Sequence, residues 1–172
     1  VRGAASTDVP RASKRLVAVW RTMSATSAAI AKAPIAKTVR SPLVSGIVGA
    51  SYYMAAGAAL RAVVKGTKQV SVAFFGDGAS ASPYYFSAIR SCANTKAPVI
   101  FVNENNLQYM GVPMAFTVPT KYVSEYTKGL DIPHFLVDGN DVSAVHAATK
   151  EAVEWARAGK GPSMIEGITF RW

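Results

Sequence analysis

The sequence predicts an α/β protein, a parallel sheet flanked by helices, and three observations carry that prediction. Short apolar runs rich in β-branched and aromatic residues, 69–75 and 98–102 among them, read as buried strands. Runs with helical spacing separate these strands, the alternation expected of parallel strands joined by crossovers. The first strand run ends in Gly76-Asp77-Gly78. Glycine on both sides of an acid lets the chain turn sharply, at the carboxyl end of a strand where open α/β sheets bind ligands.

The elements follow in order. Residues 49–64 form a helix rich in small residues, 69–75 a strand, and 82–94 a second helix. The segment "APVIFVNEN" is a second buried strand, and a long polar and aromatic connection runs over 107–127. The stretch "FLVDGND" closes a third short strand. Residues 142–158 are amphipathic, with Asp141 as the expected N-cap and Gly159 as the stop. "PSMIEGITF" is the last strand. No internal repeat is present.

The 172 residues suit one domain, 41–172, preceded by a different segment. Residues 1–40 are rich in Arg, Lys, Ala and Ser, with Asp8 their only acid. That composition reads as a basic extension or a mitochondrial presequence, and a mitochondrial location is expected from it. The formal net charge of +9 points to a polyanionic partner: RNA, an anionic lipid surface or an acidic protein neighbour. The uncharged stretch 41–60 approaches the ~20 residues of a membrane span, but its Gly, Ala and Ser suit tight packing inside a protein. No span is expected. The lone Cys92 excludes an internal disulfide and reads as a small core residue, and His134 and His146 lack a second histidine at ligand spacing.

The chemistry concentrates in two places. Asp77 follows the first strand, and Asn103, Glu104, Asn105 and Asn106 follow the second. If the strands are neighbours, both clusters share one end of the sheet. A carboxylate, an amide oxygen and a backbone carbonyl make a hard oxygen set suited to Mg²⁺ bound together with phosphate oxygens. The helix after "GDGAS" would turn its first N–H groups toward those phosphates. The plainer readings are a tight turn with a solvated aspartate, and an asparagine turn pair.

"GDG" followed by "NN" resembles the thiamine diphosphate motif. The segments "SGIVGASYYMAAGAALRAVVKGTKQVSVAFFGDGAS" and "APVIFVNENN", with "YMGVP" and "VDGNDVSAVHAATKEAVEWARAGKGPSMIEGITFR", resemble the alpha subunit of 2-oxo acid dehydrogenases. The resemblance covers roughly residues 45–171. It implies a shortened thiamine diphosphate-binding fold in which Asp77, the side chain of Asn106 and the backbone carbonyl of Gln108 ligate magnesium. It implies that Gly76, Gly78 and Ala79 let the backbone approach the diphosphate, and that Gly46 and Val48 meet the aminopyrimidine. The glutamate that activates the cofactor would come from a beta subunit.

The sequence also departs from that family. The Tyr-Arg pair that grips the diphosphate and the His-containing loop after the last strand are not found. Pro83, Tyr84 and Tyr85 stand where the family carries polar residues and a glutamate, and Ser51 replaces a glutamine. Two readings follow. One is a reduced, non-catalytic paralogue serving as a structural subunit of a larger mitochondrial assembly. The other is a thiamine diphosphate- and Mg²⁺-dependent alpha subunit that decarboxylates a 2-oxo acid with a beta subunit.

Overall fold

The computed structural model describes residues 47–171. The basic segment 1–40 and Gly46 lie outside the described residues. Helix α1 is Ala50–Val64, strand β1 Ser71–Gly76, helix α2 Pro83–Thr95 and strand β2 Val99–Asn105. A hairpin of two short strands, β3 Gln108–Tyr109 and β4 Val112–Pro113, comes next. Strand β5 is His134–Asp138, helix α3 Val142–Arg157 and strand β6 Ser163–Ile168.

The main sheet has the order β1-β2-β6-β5, and every pairing in it is parallel. The expected adjacency of the first two strands is therefore present, with Gly76 beside Glu104 in the register. Helices cover both faces. On one, α1 and α2 pack Tyr52, Ala59, Tyr85 and Ile89 against Phe75, Phe101 and Met164. On the other, α3 sets Val145, Ala148 and Val153 against Ile100, Val102 and Ile165. The small residues of α1 allow its close seat: Ala55, Ala56, Ala59 and Ala62 are all buried. Tyr52 meets Phe75 edge-on at 5.1 Å between ring centroids, one of the arrangements aromatic pairs prefer.

Most boundaries fall close to expectation. Ser82 caps α2, accepting from the Tyr84 N–H, and Asp141 caps α3, accepting from Ser143 and Ala144. Gly159 follows the end of α3 with φ of 74°, a conformation glycine takes without strain. Cys92 is buried, and that burial pushes its thiol up to about 11. His134 and His146 are exposed. No helix among the described residues is long and apolar enough to cross a membrane.

One expectation needs correction. Strand β2 runs to Asn105, as the reading of "APVIFVNEN" as one strand has it, so Asn103, Glu104 and Asn105 lie in the strand and do not follow it as a cluster. The polar and aromatic connection over 107–127 has local structure of its own. It contains the hairpin, a 3₁₀ turn at Met114–Phe116 and the start of a longer 3₁₀ helix, Val123–Leu130.

Candidate functional site

Strand β1 passes directly into a 3₁₀ turn, Asp77–Ala81. The turn is closed from inside by the Ser80 hydroxyl, which donates to the Asp77 carbonyl at 2.6 Å. Tyr52 reaches out of the core to donate its hydroxyl to the Ala79 carbonyl at 3.0 Å. Asp77 is only 2% exposed, and its Oδ2 has no hydrogen-bond partner among the described residues. Burial pushes the Asp77 carboxyl above the usual range, and Glu166 adds to that push. The N–H groups of Asp77 and Gly78, and Arg171, pull it back. A buried carboxyl oxygen without a donor costs free energy, so the fold holds this one ready for a cation or a donor from outside.

The second part of the site is the turn after β2. The Asn105 amide oxygen accepts from the Leu107 N–H at 2.8 Å, and the Asn106 amide oxygen accepts from the Gln108 N–H at 3.0 Å. These successive asparagine turns explain the positive φ of 63° at Leu107. An amide oxygen has two lone pairs, so Asn106 retains one for a ligand. Gln108 pairs with Pro113 across the hairpin, and the flanking bond from the Met114 N–H to the Leu107 carbonyl makes this a non-hydrogen-bonded pair, so the Gln108 carbonyl points away from β4.

The two parts touch. A Cβ added to Gly78 would lie 2.0 Å from Cδ2 of Tyr109, so the Tyr109 ring of the hairpin rests directly on the Gly-Asp-Gly turn. Only glycine fits there. Gly76 differs: a Cβ built on it meets nothing within 4 Å, and its φ of −85° demands no glycine. The space beside Gly76 is open. Gly49, at φ 88°, abuts Ser82, so the half-exposed Val48 stands just before the contact between the starts of α1 and α2.

The expected route from α2 to the phosphates is altered. The α-helix starts at Pro83, and the 3₁₀ turn Asp77–Ala81 stands between it and the Gly-Asp-Gly segment. The nearest backbone donors are those of the 3₁₀ turn itself. Pro83 occupies the first helical position, where its missing N–H would have had no intrahelical partner. Tyr84 is exposed, whereas Tyr85 is buried and donates its hydroxyl to the Met164 sulfur at 3.3 Å. The tyrosine pair therefore does not act as one block beside the site.

Sequence reasoning missed Glu166, and it gave Asn103 and Asn105 no role of their own within the polar cluster. Glu166, fully buried in β6, accepts from Asn105 Nδ2 at 2.7 Å, from the Ser124 N–H at 2.7 Å and from the Val123 N–H at 3.1 Å. Asn105 thus joins Glu166 to the Leu107 turn. Asn103, between Phe75 and Glu166 in the register, is fully buried with both amide atoms unpartnered among the described residues. The signal for Glu166 was present: it is the one acid in an otherwise apolar strand run.

The donor set fits an oxygen-ligated divalent cation held with a diphosphate. It comprises a buried carboxyl oxygen lacking a partner, an amide oxygen with a free lone pair, a backbone carbonyl turned away from its hairpin partner, and open space beside Gly76. Groups of three or more His, Cys, Asp or Glu able to hold a metal are absent among the described residues, so a soft or imidazole-rich site is not on offer there.

Comparison with known proteins shows the family. The family model described as dehydrogenase E1 component matches residues 22–172. The chain is 40% identical over 127 residues to the alpha subunit of acetoin:2,6-dichlorophenolindophenol oxidoreductase from Bacillus subtilis, covering 74% of this chain and 38% of that protein. It is 39% identical over 127 residues to the pyruvate dehydrogenase E1 component subunit alpha of Rhizobium meliloti, covering 74% and 36%. The corresponding Staphylococcus aureus subunit is 37% identical over 126 residues, covering 73% and 34%. The chain spans less than two-fifths of the length of these relatives.

Proposed function

The chain belongs to the dehydrogenase E1 component family, and from that premise we propose that it forms the thiamine diphosphate- and Mg²⁺-binding part of an alpha subunit that decarboxylates a 2-oxo acid together with a beta subunit. One observation carries this reading: the buried Asp77 carboxyl keeps Oδ2 unpartnered at the carboxyl end of β1, beside the Asn105–Gln108 turn. A scaffold with no ligand to bind gains nothing by holding that oxygen bare.

The residues take distinct tasks. Asp77, the Asn106 amide oxygen and the Gln108 carbonyl would hold the magnesium. Gly76, Gly78 and Ala79 would admit the diphosphate to the backbone of the 3₁₀ turn, and Gly46 and Val48 would meet the aminopyrimidine. Thiamine diphosphate, when bound, supplies the carbanion that cleaves the bond beside the substrate carbonyl. This chain would orient the cofactor and hold the cation that neutralises its diphosphate, and the activating carboxylate is left to the beta subunit.

The test is thermal unfolding of the full-length protein with its beta subunit, with and without thiamine diphosphate and Mg²⁺. A ligand at a hundredfold excess over Kd stabilises the folded state by ~2.7 kcal/mol. We expect a cofactor-dependent rise in Tm that disappears in Asp77→Ala. The absence of any rise in the wild-type protein would sink the reading.

A second reading is a reduced, non-catalytic paralogue serving as a structural subunit of a mitochondrial assembly. It is supported by the Tyr109 ring, which packs onto the backbone of Gly78 that would meet the diphosphate. Under it, Tm ignores the cofactor in the wild-type protein and in Asp77→Ala alike. The basic residues of 1–40 would then face an acidic protein, RNA or anionic lipid.

A further inference from the structure

We propose that Glu166 is a positioning residue of the cofactor site, clamping the turn that carries the metal ligands to the 3₁₀ helix Val123–Leu130. The inference rests on the cofactor reading above but concerns residues that reading does not use. Glu166 is fully buried on β6, between β2 and β5 in the sheet. Its Oε1 accepts from Asn105 Nδ2 and from the Val123 N–H, and its Oε2 accepts from the Ser124 N–H. Three donors from two chain segments converge on one carboxyl group.

Each contact has a consequence. Asn105 is pinned at its amide nitrogen by Glu166, and this directs its amide oxygen to the Leu107 N–H at 2.8 Å. Leu107 is thereby held at φ 63°, where a branched side chain is strained without support. That strained residue sits between Asn106 and Gln108, the two proposed ligands on this turn. The Leu107 carbonyl in turn accepts from the Met114 N–H at 2.9 Å, tying the turn to the far side of the hairpin. The Val123 and Ser124 contacts are separate: they satisfy the first N–H groups of the 3₁₀ helix, which has no earlier turn to bond. Residues that orient metal ligands through hydrogen bonds commonly change metal affinity about 10- to 100-fold when replaced.

Two variants separate the clamp from general stability. Glu166→Ala removes the acceptor of all three donors and disturbs both arms. Asn105→Ala cuts only the arm to the turn and leaves Val123 and Ser124 bonded. The readouts are amide hydrogen exchange in the full-length protein, and Mn²⁺ binding followed by electron paramagnetic resonance in the assembly with its beta subunit and thiamine diphosphate.

We expect faster exchange at Leu107 in both variants, and at Val123 and Ser124 only in Glu166→Ala. Mn²⁺ affinity should fall by about tenfold or more in both. Unchanged Mn²⁺ affinity in Asn105→Ala, beside normal binding by the wild type, overturns the positioning role and leaves the cofactor reading intact. A wild-type assembly that binds no Mn²⁺ overturns the cofactor reading, and this inference falls with it.

Discussion

Asp77 and Glu166 are both buried carboxyl groups at the carboxyl end of the sheet, close enough that Glu166 raises the pKa of Asp77, yet their surroundings are opposite. Glu166 is met by three donors from the protein, whereas Asp77 keeps one oxygen with no partner among the described residues. A carboxyl whose acceptor sites are filled from within organises backbone. One left partly unfilled, at the cost of desolvation, is disposed to bind something. The same residue chemistry, within one cluster, is thus divided between architecture and ligand.

The largest effect that could break this contrast lies at Glu166. Glu166→Ala strands the Asn105 amide and the Val123 and Ser124 N–H groups away from water. Each unsatisfied donor costs ~1–3 kcal/mol, so the expected loss is about 3 kcal/mol or more in urea unfolding. A loss well under 1 kcal/mol would mean that solvent reaches these donors and that the clamp is weak.

Asp77 should behave in the reverse sense. In Asp77→Asn the cofactor-dependent stabilisation, ~2.7 kcal/mol at a hundredfold excess over Kd, should vanish. Without cofactor the variant should be more stable than the wild type, by ~1 kcal/mol, because a desolvated charge has been removed. A variant that loses stability without cofactor would show that Asp77 has a structural partner after all, as Glu166 does.

The pH dependence sharpens the same point. The folded-state pKa of Asp77 lies above its ordinary value, so the folded state binds this proton more readily than the unfolded state. Its destabilising contribution is present at neutral pH and fades as pH falls through the folded-state value. The stability advantage of Asp77→Asn over the wild type should therefore shrink as the solution is acidified through that range. Magnesium competes with the same proton, so cofactor-dependent stabilisation should begin to fall at a pH above the ordinary aspartate range. Denaturant midpoints measured on both proteins across the acid range check both statements.

How much of this was legible in the sequence follows from the kind of signal each feature emits. Strands β1, β2 and β6 and the three helices announce themselves through apolar runs and helical spacing, because burying those faces is what forms them. The end of β2 was legible in two ways, because the polar Asn103, Glu104 and Asn105 suit both the end of a strand and a cluster that follows it. They remain in the strand since Asn105 finds a buried partner in Glu166, sixty-one positions away. The hairpin strands of Gln108–Tyr109 and Val112–Pro113 are too short for periodicity, and positive φ at Met110 and Gly111 makes their turn. Asp77 was readable from the glycines beside it, although the 3₁₀ turn that separates it from α2 was not. Glu166 was readable only as an acid out of place in an apolar run, and its partners come from distant segments.

The smallest expected effect uses a third carboxylate, Asp141, as the control for the first two. Its side chain accepts from the Ser143 N–H at 2.8 Å and the Ala144 N–H at 3.2 Å at the start of α3, in an exposed position. Like Glu166 it fills its acceptor sites with backbone donors, but water can replace it there. Removing an N-cap side chain costs ~0.5–2 kcal/mol, and exposure of the freed N–H groups puts the expected loss for Asp141→Ala near 1 kcal/mol or below. Helix α3 covers the sheet face opposite to α1 and α2, so this loss should leave cofactor-dependent stabilisation unchanged. Parallel melts of Asp141→Ala and Asp77→Asn, with and without thiamine diphosphate and Mg²⁺, make the comparison direct. If Asp141→Ala also erased the cofactor effect, carboxylate removal in general would be acting through overall stability, and the distinction drawn at Asp77 would not hold.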